Sequence, residues 1–310
     1  MIKAIIDIGS NSIKMRVASV DKGNIRVIRD ETEVVRLGRG MSATGYLSDD
    51  SMKISCETVS RMAHRASRLG AEIFIVGTMA LRTAANANIF IKMIKDATGL
   101  DVHVFSGEEE AKYSWHGAVD GFNIEGNLIM FDSGGGSTEF VLGSDGQVNK
   151  ITSIPIGAVN LSEKFFNIYD RPIKKTFCDE AINYVKKLFI ENHIDEFISR
   201  SSARIIGVGG GVVTMASVKF ACESFVPAKL HGSVLTMRDI TRQIEMYSSL
   251  TLSERQNIIG LPANRADVIL GSACIVFVAL EILKAKSCII SINGLRHGLL
   301  LSEELGLNVL

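Results

Sequence analysis

Twice in this chain an apolar run ends in aspartate, turns through glycine and small polar residues, and leaves as an alternating strand. The longer instance is Leu128-Ile129-Met130-Phe131-Asp132-Ser133-Gly134-Gly135-Gly136-Ser137-Thr138-Glu139-Phe140-Val141-Leu142. β-Propensity on both sides with glycine between reads as strand–turn–strand. Three consecutive glycines have nothing to bury. They suit a place where backbone approaches a ligand closely and offers N–H groups, as around phosphate. Asp132 and Glu139 flank the turn with carboxylates able to hold a divalent cation; the plain alternative is a glycine-rich hairpin with incidental acids. Near the N-terminus, Ala4-Ile5-Ile6-Asp7-Ile8-Gly9-Ser10-Asn11-Ser12-Ile13-Lys14-Met15-Arg16-Val17 has the same plan. Two such hairpins suggest two related halves facing one another across a cleft. A third glycine cluster, Gly209-Gly210-Gly211 after Ile205-Ile206, is expected to open a helix, whose N-terminus favours anions.

At 310 residues the chain has room for two domains. Hydrophobic residues at 46% and charged residues at 22% describe a soluble globular protein. Lys plus Arg equals Asp plus Glu, 34 each, so no overall field draws in nucleic acid or anionic membrane. A polyanion must then be met by locally placed cations and backbone donors. The cysteines (Cys56, Cys178, Cys222, Cys274, Cys288) are scattered, odd in number and lack a C-x-x-C pair. That argues for a reducing cytosol, not a disulfide framework or zinc site. No signal peptide is read, because residues 1–8 enter a strand directly. The apolar stretch Val268–Leu283 is broken by Gly271 and is expected to be a buried helix.

Residues 1–47 read as a strand meander, with Arg26–Ile28 and Val34–Leu37 as later members. Met52, Cys56, Val59, Ala63, Ala66 and Leu69 recur at helical spacing, and Gly70 ends that helix. Strand Ile73–Thr78, a helix from about Asn86 to Thr98, and strand Val102–Phe105 continue an alternation that predicts parallel pairing. A further helix runs from Glu108 to Asp120, capped by Ser106. The composition turns polar around Gly121–Gly126, so domains are placed at 1–123 and 124–310. The second half is expected to hold helices at about 176–200, 212–224 and 236–248 and strand Cys288–Ile292. A last helix, about 295–305, packs back on the first domain.

Glu108-Glu109-Glu110 opens the helix after Ser106. Acids there complement the helix dipole, yet three neighbours point about 100° apart, so one can face a ligand and serve as general base. Arg82 leaves a strand at its carboxyl end, where it suits either a phosphate oxygen or a neighbouring acid. No G-x-x-x-x-G-K-[ST] occurs, Asp7-Ile8-Gly9 lacks the second aspartate of dehalogenase-type phosphatases, and no cysteine precedes an arginine at thiol-phosphatase spacing. The six histidines form no H-x-x-x-H cluster, and the late glycine cluster is a weak dinucleotide signal.

Together these stretches resemble the exopolyphosphatase / guanosine-pentaphosphate phosphohydrolase family of the actin-like superfamily. The matching pieces are Asp7–Ser12, Gly77–Asn86, Ser106–Ala111, Asp132–Glu139, Gly209–Thr214 and Gly294-Leu295-Arg296, in the family's order over nearly the whole chain. The resemblance implies an α/β fold of two actin-like (ribonuclease H-like) domains, mixed sheets flanked by helices, with the active site in the interdomain cleft. It implies phosphate binding by Gly9, Ser10, Asn11, Ser12, Arg82, Gly134, Gly135, Gly136, Ser137, Thr138, Gly209, Gly210 and Gly211. Glu110 matches the general base, with Glu109 as runner-up. Asp132 and Glu139 match acids near Mg²⁺, and Asp7 joins them as a candidate. The implied reaction is Mg²⁺-assisted hydrolysis of a terminal phosphoanhydride of polyphosphate without a phosphoenzyme, with guanosine pentaphosphate or another nucleotide as the alternative substrate. No nucleic-acid or membrane partner is expected, the compartment is cytoplasmic, and a homodimer is the candidate assembly.

Three departures stand out. His297 follows Gly294-Leu295-Arg296 where the family usually has glutamate, and Ser133 replaces an aliphatic residue. Longer members continue into a helical region associated with gripping polymers, so high processivity is not expected here. An actin-like kinase shares both phosphate loops but takes its base from an aspartate on another strand; the glutamate triplet speaks against it. A non-catalytic polyphosphate or alarmone sensor would not need Glu110, Asp132 and Glu139.

Overall fold

The computed structural model describes residues 1–122, 125–197 and 203–302, and packing divides the chain into two compact units. The first is Met1–Gly117 together with the chain from Asn293 onward; the second is Ala118–Ile292. The expected boundary at 123/124 falls on residues outside those described.

In the first unit, strands β1 (Ile2–Ile8), β2 (Ser12–Asp21) and β3 (Asn24–Val34) form an antiparallel meander. After α1 (Met41–Thr44) and α2 (Asp49–Arg68), strand β4 (Glu72–Gly77) pairs parallel to β1. Helices α3 (Met79–Thr83) and α4 (Ala87–Thr98) lead to β5 (Val102–Val104), parallel to β4, and then to α5 (Gly107–Val119). The sheet order is β3-β2-β1-β4-β5. Helix α2 shows why its segment is helical: Ser48 accepts the Ser51 N–H, Asp49 and Asp50 sit in the first turn, and Arg65 and Arg68 sit in the last. Its apolar face, with Met52, Val59, Met62 and Ala66, joins β1 and β4 residues in one core.

The second unit repeats this plan. Strands β6 (Asn127–Ser133), β7 (Thr138–Ser144) and β8 (Gln147–Ile154) form the meander, followed by α6 (Ala158–Phe165) and α7 (Lys175–Glu191). Strand β9 (Arg204–Val208) is parallel to β6 and delivers α8 (Gly210–Lys219) and α9 (Pro227–Leu230). Strand β10 (Val234–Thr236), α10 (Met237–Ser248), α11 (Leu252–Arg255), α12 (Ile269–Ile282) and β11 (Ser287–Ile290) complete it. The order β10-β11-β9-β6-β7-β8 is that of the first sheet plus the antiparallel edge strand β10. Even the irregularities match: register shifts after Val17 in β2 and after Leu142 in β7, ten residues beyond Asp7 and Asp132 respectively. This is the ribonuclease H-like plan, twice. Helix α12 is apolar on every side and buried, which suits the centre of the second core, as the sequence predicted. No described helix is long and apolar enough to cross a membrane.

The structure corrects one reading of the meander. Arg26–Ile28 and Val34–Leu37 are not two strands; β3 runs through the charged stretch between them. Both faces of that stretch are satisfied. Arg61 and Arg65 of α2 reach Glu33 and Glu31, while Arg16 of β2 donates to Asp30 on the opposite face. The last helix, α13 (Leu295–Leu301), packs on β1 and β2 through Leu295, Leu299 and Leu300. The part of the expected 295–305 helix beyond 302 lies outside the described residues. Two other helices are shorter than expected: the one placed at 176–200 ends at Glu191, where Asn192 caps it and a 3-10 turn, Ile194–Phe197, follows, and the one placed at 212–224 runs from Gly210 to Lys219.

Candidate functional site

In the first unit the predicted residues gather at the carboxyl ends of β1, β4 and β5, where open α/β sheets meet ligands. Asp7, next to last in β1, lies directly opposite Lys14, whose Nζ is 3.8 Å from its carboxylate. Gly9 donates its N–H to the Ser12 carbonyl at 3.1 Å, closing the turn. The carbonyls of Ser10 and Asn11 are taken by the chain leaving β3: Gly38 N–H donates to Ser10, and Val35 and Arg36 N–H donate to Asn11. The N–H groups of Ser10 and Asn11 have no acceptor among the described residues. Ser10, Asn11 and Ser12 are all buried.

Arg82, on α3, donates to the Phe105 carbonyl at 2.7 Å and to Glu110 Oε2 at 3.2 Å. Of the two roles open to it in the sequence, the structure displays the pairing with an acid, and that acid is the candidate base. The glutamates of α5 also separate. Glu109 accepts the Ser106 N–H while Ser106 Oγ accepts the Glu109 N–H, a reciprocal cap. Glu108 and Glu109 are exposed; Glu110 is half-buried against Arg82.

The second unit sets its residues at the ends of β6 and β9. Gly134 donates to the Ser137 carbonyl at 3.0 Å, the counterpart of the Gly9–Ser12 bond. Three successive loop carbonyls then turn toward the start of α6. Ala158 N–H donates to Gly134 (3.0 Å), Val159 N–H to Gly135 (2.7 Å) and Asn160 Nδ2 to Gly136 (3.0 Å). In a trans peptide the N–H points opposite the carbonyl of the same plane. Fixing these carbonyls therefore directs the N–H groups of Gly135, Gly136 and Ser137 away from α6, and none has an acceptor among the described residues. The Thr138 hydroxyl is engaged otherwise than expected: it donates to the Ile156 carbonyl at 2.7 Å and serves the hairpin.

Asp132 and Glu139 are direct cross-strand partners, so both carboxylates stand on one face. Glu139 is buried and accepts the Ser153 hydroxyl at 2.8 Å. Beside them, Gly209 adopts φ 109° at the head of α8. A Cβ there would run into the Ser133 carbonyl and sit 3.1 Å from Asp132 Oδ1, so only glycine lets this turn close on the acid. Cβ atoms at Gly210 and Gly211 would meet the Arg265 guanidinium and the Ser272 side chain. Among the described residues no three His, Cys, Asp or Glu side chains converge as a metal cage.

Sequence reasoning missed two residues here. Arg265 lies against Gly210 with no hydrogen-bond or ion-pair partner for its guanidinium among the described residues, and burial pulls its pKa down. Asn160 sits behind the glycine loop. One arginine in a three-residue 3-10 turn and one asparagine near a helix start carry no periodicity or spacing that could have flagged them.

The model of the Ppx/GppA phosphatase family matches residues 16–307. A bifunctional 3-dehydroquinate synthase/phosphatase of Fusobacterium nucleatum is 29% identical over 97% of this chain and 46% of its own length. A guanosine-5'-triphosphate,3'-diphosphate pyrophosphatase of Photobacterium profundum is 29% identical over 96% of this chain and 58% of its own. The chain thus spans about half the length of the curated relatives it matches. Among solved structures, the Ppx/GppA family member of Aquifex aeolicus is 31% identical with a TM-score of 0.80, covering 99% of both chains. An exopolyphosphatase of Cytophaga hutchinsonii has the same fold, with a TM-score of 0.90 at 22% identity over 100% of this chain and 99% of that one.

Proposed function

Since the chain belongs to the Ppx/GppA phosphatase family, we propose that it is a phosphoanhydride hydrolase that releases orthophosphate from the end of inorganic polyphosphate. The observation that carries this reading is the glycine loop of the second unit, whose carbonyls are held from behind while the N–H groups of Gly135, Gly136 and Ser137 face outward. Such a row of backbone donors suits phosphoryl oxygens and offsets charge where it develops in the reaction.

The roles follow from the chemistry of each group. Gly135, Gly136 and Ser137 hold a phosphoryl group through backbone N–H, and Ser10 and Asn11 offer the same in the first unit. The guanidinium of Arg265 adds a cation beside Gly210. Glu110 takes a proton from the attacking water as the new P–O bond forms and the bridging P–O bond breaks; the shortened chain leaves with the bridging oxygen. Arg82 at 3.2 Å keeps Glu110 oriented for that role. Asp132 and Glu139, two hard oxygen donors on one face, fit Mg²⁺, which prefers one or two carboxylates with water and phosphate oxygens to an all-protein cage. When bound, Mg²⁺ would supply charge neutralisation of the phosphate oxygens. Asp7 is the lesser candidate, since a lysine stands opposite it.

Guanosine pentaphosphate is the second reading, favoured by the activity in the name of the Photobacterium profundum relative. Phosphate release with Mg²⁺ from tripolyphosphate, long polyphosphate, guanosine pentaphosphate and ATP, measured in parallel, tests both. Release from polyphosphate alone supports the proposal, and release from the guanosine substrate alone transfers it to the second reading. No release from any substrate by folded protein would sink both.

A further inference from the structure

The start of α6 is not an anion site, although the early N–H groups of a helix ordinarily make one. Its first donors already point into the glycine loop: Ala158 N–H to Gly134 and Val159 N–H to Gly135. Gly157, just before them, has no room for a Cβ, which would stand 2.5 Å from Gly135 C and Gly136 N. The loop is therefore seated on the helix by backbone contact.

The third carbonyl, that of Gly136, takes its hydrogen bond from a side chain. Asn160 Nδ2 donates to it at 3.0 Å and also to the Pro155 carbonyl at 3.2 Å, while Oδ1 accepts the Gly157 N–H at 2.7 Å. Only a carboxamide can accept once and donate twice in so short a reach. Aspartate keeps the acceptor and loses both donors; leucine keeps the shape and loses everything. Because the Gly136 carbonyl and the Ser137 N–H share one peptide plane, the amide that holds the first also aims the second.

We propose that Asn160 is a positioning residue of the phosphate loop, fixing the Gly136–Ser137 peptide so that its N–H faces the bound phosphoryl group. The inference rests on the reading of Gly134–Ser137 as the phosphate cradle. It assigns to Asn160 no contact with substrate; its effect passes through the orientation of one donor.

The test compares wild type with Asn160→Asp and Asn160→Leu, using tripolyphosphate as the calorimetric ligand and phosphate release for KM and kcat. Loss of one aimed donor corresponds to about a tenfold weakening or more. Both variants are expected to bind tripolyphosphate at least about tenfold more weakly and to show a raised KM. Asn160→Asp, which keeps the bond to Gly157, holds the fold if Asn160→Leu does not. A purely structural role would move the melting temperature and leave KM and tripolyphosphate affinity where they were; that result overturns the inference alone. Wild-type protein that binds no tripolyphosphate overturns the cradle reading and the inference with it.

Discussion

Glu109 and Glu110 are adjacent in the sequence, and their side chains do different work. The carboxylate of Glu109 turns back on Ser106 to close the cap, whereas that of Glu110 meets Arg82. Glu110→Gln is expected to lower kcat by about 10²–10⁴, the usual weight of a general base, with tripolyphosphate affinity retained. Wild-type turnover in that variant would move the base elsewhere. Arg265 presents the opposite trade. A charge held in a partly desolvated place with no counter-ion among the described residues costs stability, so Arg265→Met should melt at or above the wild-type temperature. The same change removes a charge-assisted hydrogen bond worth about 1.5–3 kcal/mol to a bound phosphate, so KM should rise at least about tenfold. A raised melting temperature with an unchanged KM would leave Arg265 outside the site.

Among elements, the two hairpins were legible because their signal is local: an apolar run, an acid, a turn of small residues and an alternating exit. Several long helices were legible from sequence as well: α4, α10 and α12 begin and end within a residue or two of their expected bounds, while α2 starts three residues before Met52 and α7 stops well short of 200. What was not legible depends on contacts distant in sequence. Strand β3 passes through a charged run because α2 and β2 bring arginines to both its faces. The role of Thr138 is set by a carbonyl eighteen residues away. The contact of α5 with α13 is of this kind too: Gly117 lies against the Gly294 carbonyl, and Gly298 against that of Tyr113, with no room for a methyl group. Gly298→Ala is expected to destabilise the fold by about 1–3 kcal/mol through overpacking, read by chemical denaturation. A variant as stable as wild type would show that α13 can shift outward at no cost.

For the whole molecule, the chain enters and finishes its described course in the same unit, and a partly exposed ionic cluster ties the two passages together. Asp30 of β3 accepts from Arg16 of β2 and from Arg296 of α13, and Arg16 also donates to Asn293. Burial alone would raise the Asp30 pKa, but the charges of Arg296 and Arg16 and their hydrogen bonds outweigh it and hold the carboxyl below its usual range. A carboxyl depressed in the folded state stabilises above its unfolded pKa, near 4, and loses that contribution as pH falls through the folded value. Asp30→Asn should therefore cost stability at neutral pH by an amount that shrinks below about pH 4. A gap between the two proteins that does not narrow in acid would assign the cluster's effect to shape and not charge. The seating of the glycine loop has a consequence at this scale as well. Its geometry is imposed by residues 157–160, beyond the third strand, and the turn of the first unit leans in the same way on residues 35–38. The glycine motif is thus no portable cassette: grafted into another protein without its downstream buttress, it would keep its letters and lose its grip.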